Sequence, residues 1–171
     1  MAHVTRSMLG RFPAHPFRGT CEAEWSMGFF FVLRRQLVEQ WQLRFDEKLT
    51  GYAYPEDLDF TYAYSRKAEQ AGMRCILTDR VQVWHRVTEA SRIPSKKSTM
   101  MFAINRLYLS YKHFPTESLS RSALHWSLAG DVLLRAVRRQ KPGELMHAIG
   151  VARLHKKELQ NGVLRPEWYQ G

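Results

Sequence analysis

The chain has 171 residues, about one domain's worth and enough to bury a core. Its 44% hydrophobic and 25% charged residues exclude a wholly disordered polymer. Twenty-six Lys and Arg against sixteen Asp and Glu give +10, and the excess is uneven: residues 1–90 carry 12 basic and 11 acidic side chains (+1), residues 91–171 carry 14 and 5 (+9). The basic character therefore belongs to the C-terminal half, where any anionic partner would be sought.

Cys21 and Cys75 are too few for a disulfide scaffold and have no CxxC zinc spacing, which fits a reducing compartment. The longest apolar run, Met27–Leu33, falls far short of the roughly 20 residues that span a bilayer. No apolar stretch follows the first basic residues, as a secretory signal would require. The expectation is a cytoplasmic protein, with peripheral attachment to the inner face of the membrane as a further option.

In chain order, residues 1–21, with Gly10, Pro13, Pro16 and Gly19, read as an irregular lead-in. Aromatic-rich Trp25–Leu33 reads as a buried strand, and Arg34–Leu43 as a short amphipathic helix. Pro55 followed by Glu56 and Asp57 predicts a helix start, because proline suits the first turn and carboxylates suit the positive end of the helix dipole. That helix is predicted to end near Ala71 before Gly72, with Leu58, Thr61, Tyr62, Ser65 and Ala68 on one face. Met73–Thr78 and Val81–Trp84 read as strands, the second ending at His85. Residues 86–97 read as a basic connector, then helices are predicted over 99–113, 120–140 and 144–160. The domain reading is thus a lead-in, an α/β segment over 22–97 and a basic helical tail over 98–171.

The order of motifs between Trp25 and His85 is the most informative feature. It runs Trp25, Gly28, Arg34-Arg35, Phe45-Asp46-Glu47, then Glu56-Asp57-Leu58-Asp59-Phe60 opening a helix that ends Ala71-Gly72, then strands ending at His85. This pattern resembles the C-terminal half of family 2 glycosyltransferases, GT-A fold enzymes that use nucleotide-sugar donors. Residues 101–114 are also similar to the helix after that strand pair in many bacterial members, so the resemblance covers roughly 22–114. It implies a partial, Rossmann-like GT-A domain and inverting sugar transfer to a glycan or lipid-linked acceptor, in cell-surface polysaccharide synthesis. It implies Asp57 as the general base with Glu56 beside it, since an attacking hydroxyl must lose its proton to a carboxylate. His85 would bind a divalent cation (Mg²⁺ or Mn²⁺) or contact the diphosphate, and Trp25, Gly28, Asp46 and Arg34 would line the substrate site. The family's nucleotide-binding half, with its D-x-D metal motif, is not found here. The resemblance therefore implies an upstream or partner-borne half, and the exposed edges of a half-sheet would favour a homodimer.

Each residue also has a plainer reading. Glu56, Asp57 and Asp59 are good N-terminal helix residues in any protein. Trp25 can be a core aromatic, Arg34-Arg35 a solvated helix face, Asp46 a turn support and His85 a surface imidazole. In the tail, Leu124, Leu128, Val132, Leu133 and Val137 are taken as one apolar side of the helix over 120–140, with Arg121, Arg135, Arg138, Arg139 and Lys141 as its charges. Such a helix suits an anionic membrane, a packed helix with a solvated basic face, or, third, nucleic acid, for which no recognition module is visible. The competing functional class is a non-catalytic module that binds membrane or nucleic acid through these helices.

Overall fold

A computed structural model describes residues 1–14, 16–50, 55–84, 86, 94–113 and 119–170. The chain divides into two compact units. The first comprises Met1–Thr5, Gly10–Asp46 and Glu56–Ala90; the second comprises Arg6–Leu9, Glu47–Pro55 and Ser91–Gly171.

The first unit contains β1 (His3–Val4), β2 (Gly10–Arg11), β3 (Thr20–Glu22), α1 (Arg35–Gln40), α2 (Glu56–Gln70) and β4 (Ile76–Thr78). β1 pairs antiparallel with β2, and β3 antiparallel with β4 in the register Cys21 to Leu77. An Ala2–Ala23 bridge joins the two ribbons, with Ala2 N–H donating to the Glu22 carbonyl and Glu24 N–H to that of Ala2. The opening residues are therefore not an irregular lead-in: Ala2 and Val4 are buried, β1 pairs with nearby β2, and β3 takes its partner β4 from far along the chain.

α2 forms where expected and stops as expected. Gly72 takes a positive φ of 69°, and Met73 N–H closes the helix end on the Ala68 carbonyl. Its buried set is wider than one face, adding Asp59, Phe60 and Tyr64 to Leu58, Thr61, Tyr62 and Ala68. Aromatic stacking secures it: Phe45 lies on Phe60 at 4.2 Å and Trp41 meets Tyr64 edge-on at 5.3 Å. α1 is shorter than predicted and buries no residue; Gln42, at φ 53°, lies in the turn that follows it. Residues 25–33 form turns and irregular chain instead of a strand, with Phe29, Phe30 and Val32 exposed. β3 already has its neighbour in β4, and the Gly28 N–H is directed to a side chain rather than a ladder. Val81–Trp84 likewise joins no strand, and Val81, Val83 and Trp84 are exposed.

The second unit is helical: α3 (Ser95–His113), α4 (Arg121–Val137), α5 (Pro142–Leu154), α6 (Lys156–Gln160) and a 3₁₀ turn at Pro166–Tyr169. α3 starts four residues before the predicted Thr99, behind Pro94, whose carbonyl accepts from Ser98 N–H. It is the core helix, buried from Thr99 to Ser110 except at half-buried Phe102, as expected of a helix surrounded by others. Arg106 is fully buried within it. Its Nε donates to the Ser7 carbonyl and its Nη2 to Ser127 Oγ, both at 2.7 Å, while Nη1 lies 3.5 Å from Asp131 Oδ2. Part of the C-terminal positive charge is thus structural. Ser120 caps α4 by accepting from Ala123 N–H. The predicted helix over 144–160 is two helices, with His155 between them, stacked on Trp168 at 4.4 Å.

Among the described residues, then, the chain is mostly helical with two two-stranded antiparallel ribbons. No parallel Rossmann sheet is found among them. No helix among them is long and apolar enough to cross a membrane.

Candidate functional site

α2 brings three carboxylates to its first turn, Glu56, Asp57 and the buried Asp59. Asp57 Oδ2 accepts the Gly28 N–H at 2.7 Å, and Oδ1 accepts the N–H of Leu58 at 2.7 Å. Each oxygen keeps a further lone pair for a proton or a hydroxyl donor. A Cβ on residue 28 would lie 3.3 Å from Asp57 Cβ and 3.5 Å from Oδ2, so glycine permits this approach of backbone to carboxylate.

Thr61, one turn into α2, fixes the facing segment. Its Oγ1 accepts from Ser26 N–H at 3.0 Å and donates to the Asp57 carbonyl at 2.6 Å. Ser26 and Gly28 are thereby tied to the helix that carries Asp57. The face expected for α2 holds Thr61 with Leu58, Tyr62, Ser65 and Ala68, and only its i+4 relation to Asp57 points to a role in this site.

Glu56 is half-buried beside Asp57. Burial pushes its carboxyl above the ordinary carboxylate range, its own backbone N–H pulls it back, and the neighbouring Asp57 charge raises it further. The pair therefore differs in environment: one carboxylate is held by two backbone donors, while the other is biased toward holding a proton.

The other sequence candidates lie differently. Trp25 is buried, with Nε1 donating to the Arg11 carbonyl at 3.2 Å and its ring 4.6 Å from that of Phe12. A Cβ on Gly10 would fall 2.2 Å from Trp25 Cε2, so this indole fills the space that glycine leaves. Arg34 sits exposed before α1, with no side-chain bond to either carboxylate among the described residues. Asp46 is half-buried and follows Phe45, which stacks on Phe60 of α2. His85 falls outside the described residues.

The resemblance also implies a divalent cation. Among the described residues no three His, Cys, Asp or Glu side chains group closely enough to hold one, and both Asp57 oxygens already accept backbone donors. The described residues therefore do not by themselves fit a cation site, and no step below is routed through one.

No protein-family model matches this chain, and neither does any curated protein or solved structure compared with it.

Proposed function

We propose that this chain provides the acceptor and base side of an inverting, GT-A-type glycosyltransferase that moves a sugar from a nucleotide-sugar donor to a glycan or lipid-linked hydroxyl. The supporting observation is the Asp57 carboxylate, anchored by the Gly28 and Leu58 N–H groups at the start of α2. The motif resemblance supplies the substrate class; the anchored carboxylate supplies a group suited to the chemistry. As the acceptor hydroxyl attacks the anomeric carbon, the bond to the departing diphosphate breaks and Asp57 takes the hydroxyl proton. Two short backbone bonds hold that carboxylate in one orientation, the arrangement a general base needs.

The test is nucleotide diphosphate release from a panel of nucleotide sugars by the full chain assembled with its donor-binding half, with lipid-linked and free glycans as acceptors. Acceptor-dependent release supports the reading. Release from no donor with any acceptor counts against it and favours the non-catalytic module, for which the exposed face of α4 is the specific observation.

A further inference from the structure

α4 has two apolar faces. Leu124 and Leu128 are buried at 2% exposure each, whereas Trp126 is 78%, Leu133 66% and Val137 74% exposed. At 3.6 residues per turn the three exposed side chains fall within about 40° of one another, roughly opposite Leu124 and Leu128. Ala129 and Gly130, also exposed, lie along the same stripe, and no ionisable side chain interrupts it. Leu133 and Val137 therefore do not share one apolar side with Leu124 and Leu128, contrary to the expectation from sequence.

Cations follow this stripe at its C-terminal end. Arg138 and Arg139 follow the last turn of α4, both exposed, and neither has an acidic partner among the described residues. Residues 119–170 carry 9 basic and 4 acidic side chains, a net of +5. Three of those four acids are already engaged: Asp131 with Arg106, Glu144 with Lys141, and Glu158 with His155 and Arg165.

We propose that α4 docks on an anionic lipid bilayer, laying Trp126, Leu133 and Val137 into the boundary between headgroups and acyl chains while Arg138 and Arg139 meet lipid phosphates. A helix lying in that plane buries its apolar side about 5–10 Å deep, and tryptophan favours that depth because its ring is apolar with one polar N–H. Long arginine side chains reach back to the phosphates from that end of the helix. A second copy fits less well. The stripe is about 17 Å long and one helix wide, on the order of 200 Å² against the roughly 800 Å² per partner of a stable interface. Two such surfaces would also bring like charges together. A nucleic acid would engage the cations and leave the apolar stripe in water. This inference uses no residue of the Asp57 site, so it stands or falls separately from the transferase reading.

The experiment is co-sedimentation of the full chain with vesicles of phosphatidylcholine, alone or containing about a third phosphatidylglycerol, at low and high salt. Binding is expected to the anionic vesicles and to weaken with salt. Leu133→Asp, at an exposed position, should keep the circular dichroism of the parent and lower partitioning more than tenfold; Leu133→Ala gives a milder loss in the same direction. Arg138→Gln with Arg139→Gln should lower it about 25-fold, near fivefold for each cation. Equal binding to neutral vesicles overturns the proposal, as does full binding by Leu133→Asp. It is equally overturned if Leu133→Asp converts a dimer to a monomer without changing vesicle binding, or if the chain binds duplex DNA but no vesicle.

Discussion

Gly28 and Asp57, 29 positions apart, are joined by a 2.7 Å bond from backbone N–H to carboxylate, at a separation where a Cβ on residue 28 would press against Asp57 Cβ at 3.3 Å. The orientation of the proposed base is thus tied to the absence of a side chain on another segment. Gly28→Ala should displace the carboxylate by a few tenths of an ångström and lower the kcat of sugar transfer about tenfold, with little change in Tm. Steady-state kinetics beside a melting curve checks this. An unchanged kcat would mean that the contact does not set the base.

Glu56 makes a pH-dependent contribution with a definite sign. Its carboxyl is raised in the folded chain, so the folded state binds this proton more tightly than the unfolded state, whose carboxyl keeps its ordinary value near 4.5. Below that value the group costs nothing; as pH climbs through the raised folded value, ionisation beside Asp57 lowers stability. Glu56→Gln should therefore match the parent at acid pH and exceed its Tm increasingly toward neutrality. Parallel melts across that range test it, and a constant difference would contradict the assignment.

Trp25 and Gly10 give a prediction about packing. With a Cβ on residue 10 only 2.2 Å from the indole, Gly10→Ala must push the ring out of its place, at a cost of about 1–3 kcal/mol. Denaturant unfolding followed by tryptophan fluorescence measures it. Parental stability would place the ring elsewhere and reopen Trp25 as a surface for a sugar.

In the helical unit, the buried Tyr169 hydroxyl donates to Asn105 Oδ1 at 2.5 Å, and burial raises its pKa above the ordinary value near 10. Tyr169→Phe removes that donor and should cost about 1–2 kcal/mol near neutral pH. Above pH 10 the unfolded chain loses its phenol proton before the folded one does, so the parent should lose stability there and the variant should not. Denaturation at both pH values separates the two effects.

What was legible in the sequence was local. Pro55, the carboxylates after it and Gly72 bracket α2 through effects that act within one helical turn, and the helix lies between those marks. What was illegible depends on distant partners. The ribbon of β3 and β4 joins Thr20 to Thr78, and nothing near residues 1–21 announces it. The aromatic run after Trp25 satisfies a strand pattern, yet it has no strand neighbour, and its Gly28 N–H goes to Asp57. Charge misled in a similar way: Arg106 belongs by composition to the basic tail, but Ser7, Ser127 and Asp131 surround it in the core. Of the candidate site, Glu56 and Asp57 could be named beforehand, whereas Thr61 and the particular use of Gly28 required the fold.

The central claim is that Asp57 takes the proton of the acceptor hydroxyl. Asp57→Asn keeps the size of the side chain and one acceptor oxygen, but it cannot serve as a base. Single-turnover transfer by this variant and its parent, with circular dichroism confirming the same fold, is the most direct measurement. The account predicts a loss of about 10²–10⁴-fold in the chemical step with the acceptor still bound. Transfer at the parental rate by a folded Asp57→Asn chain would contradict it.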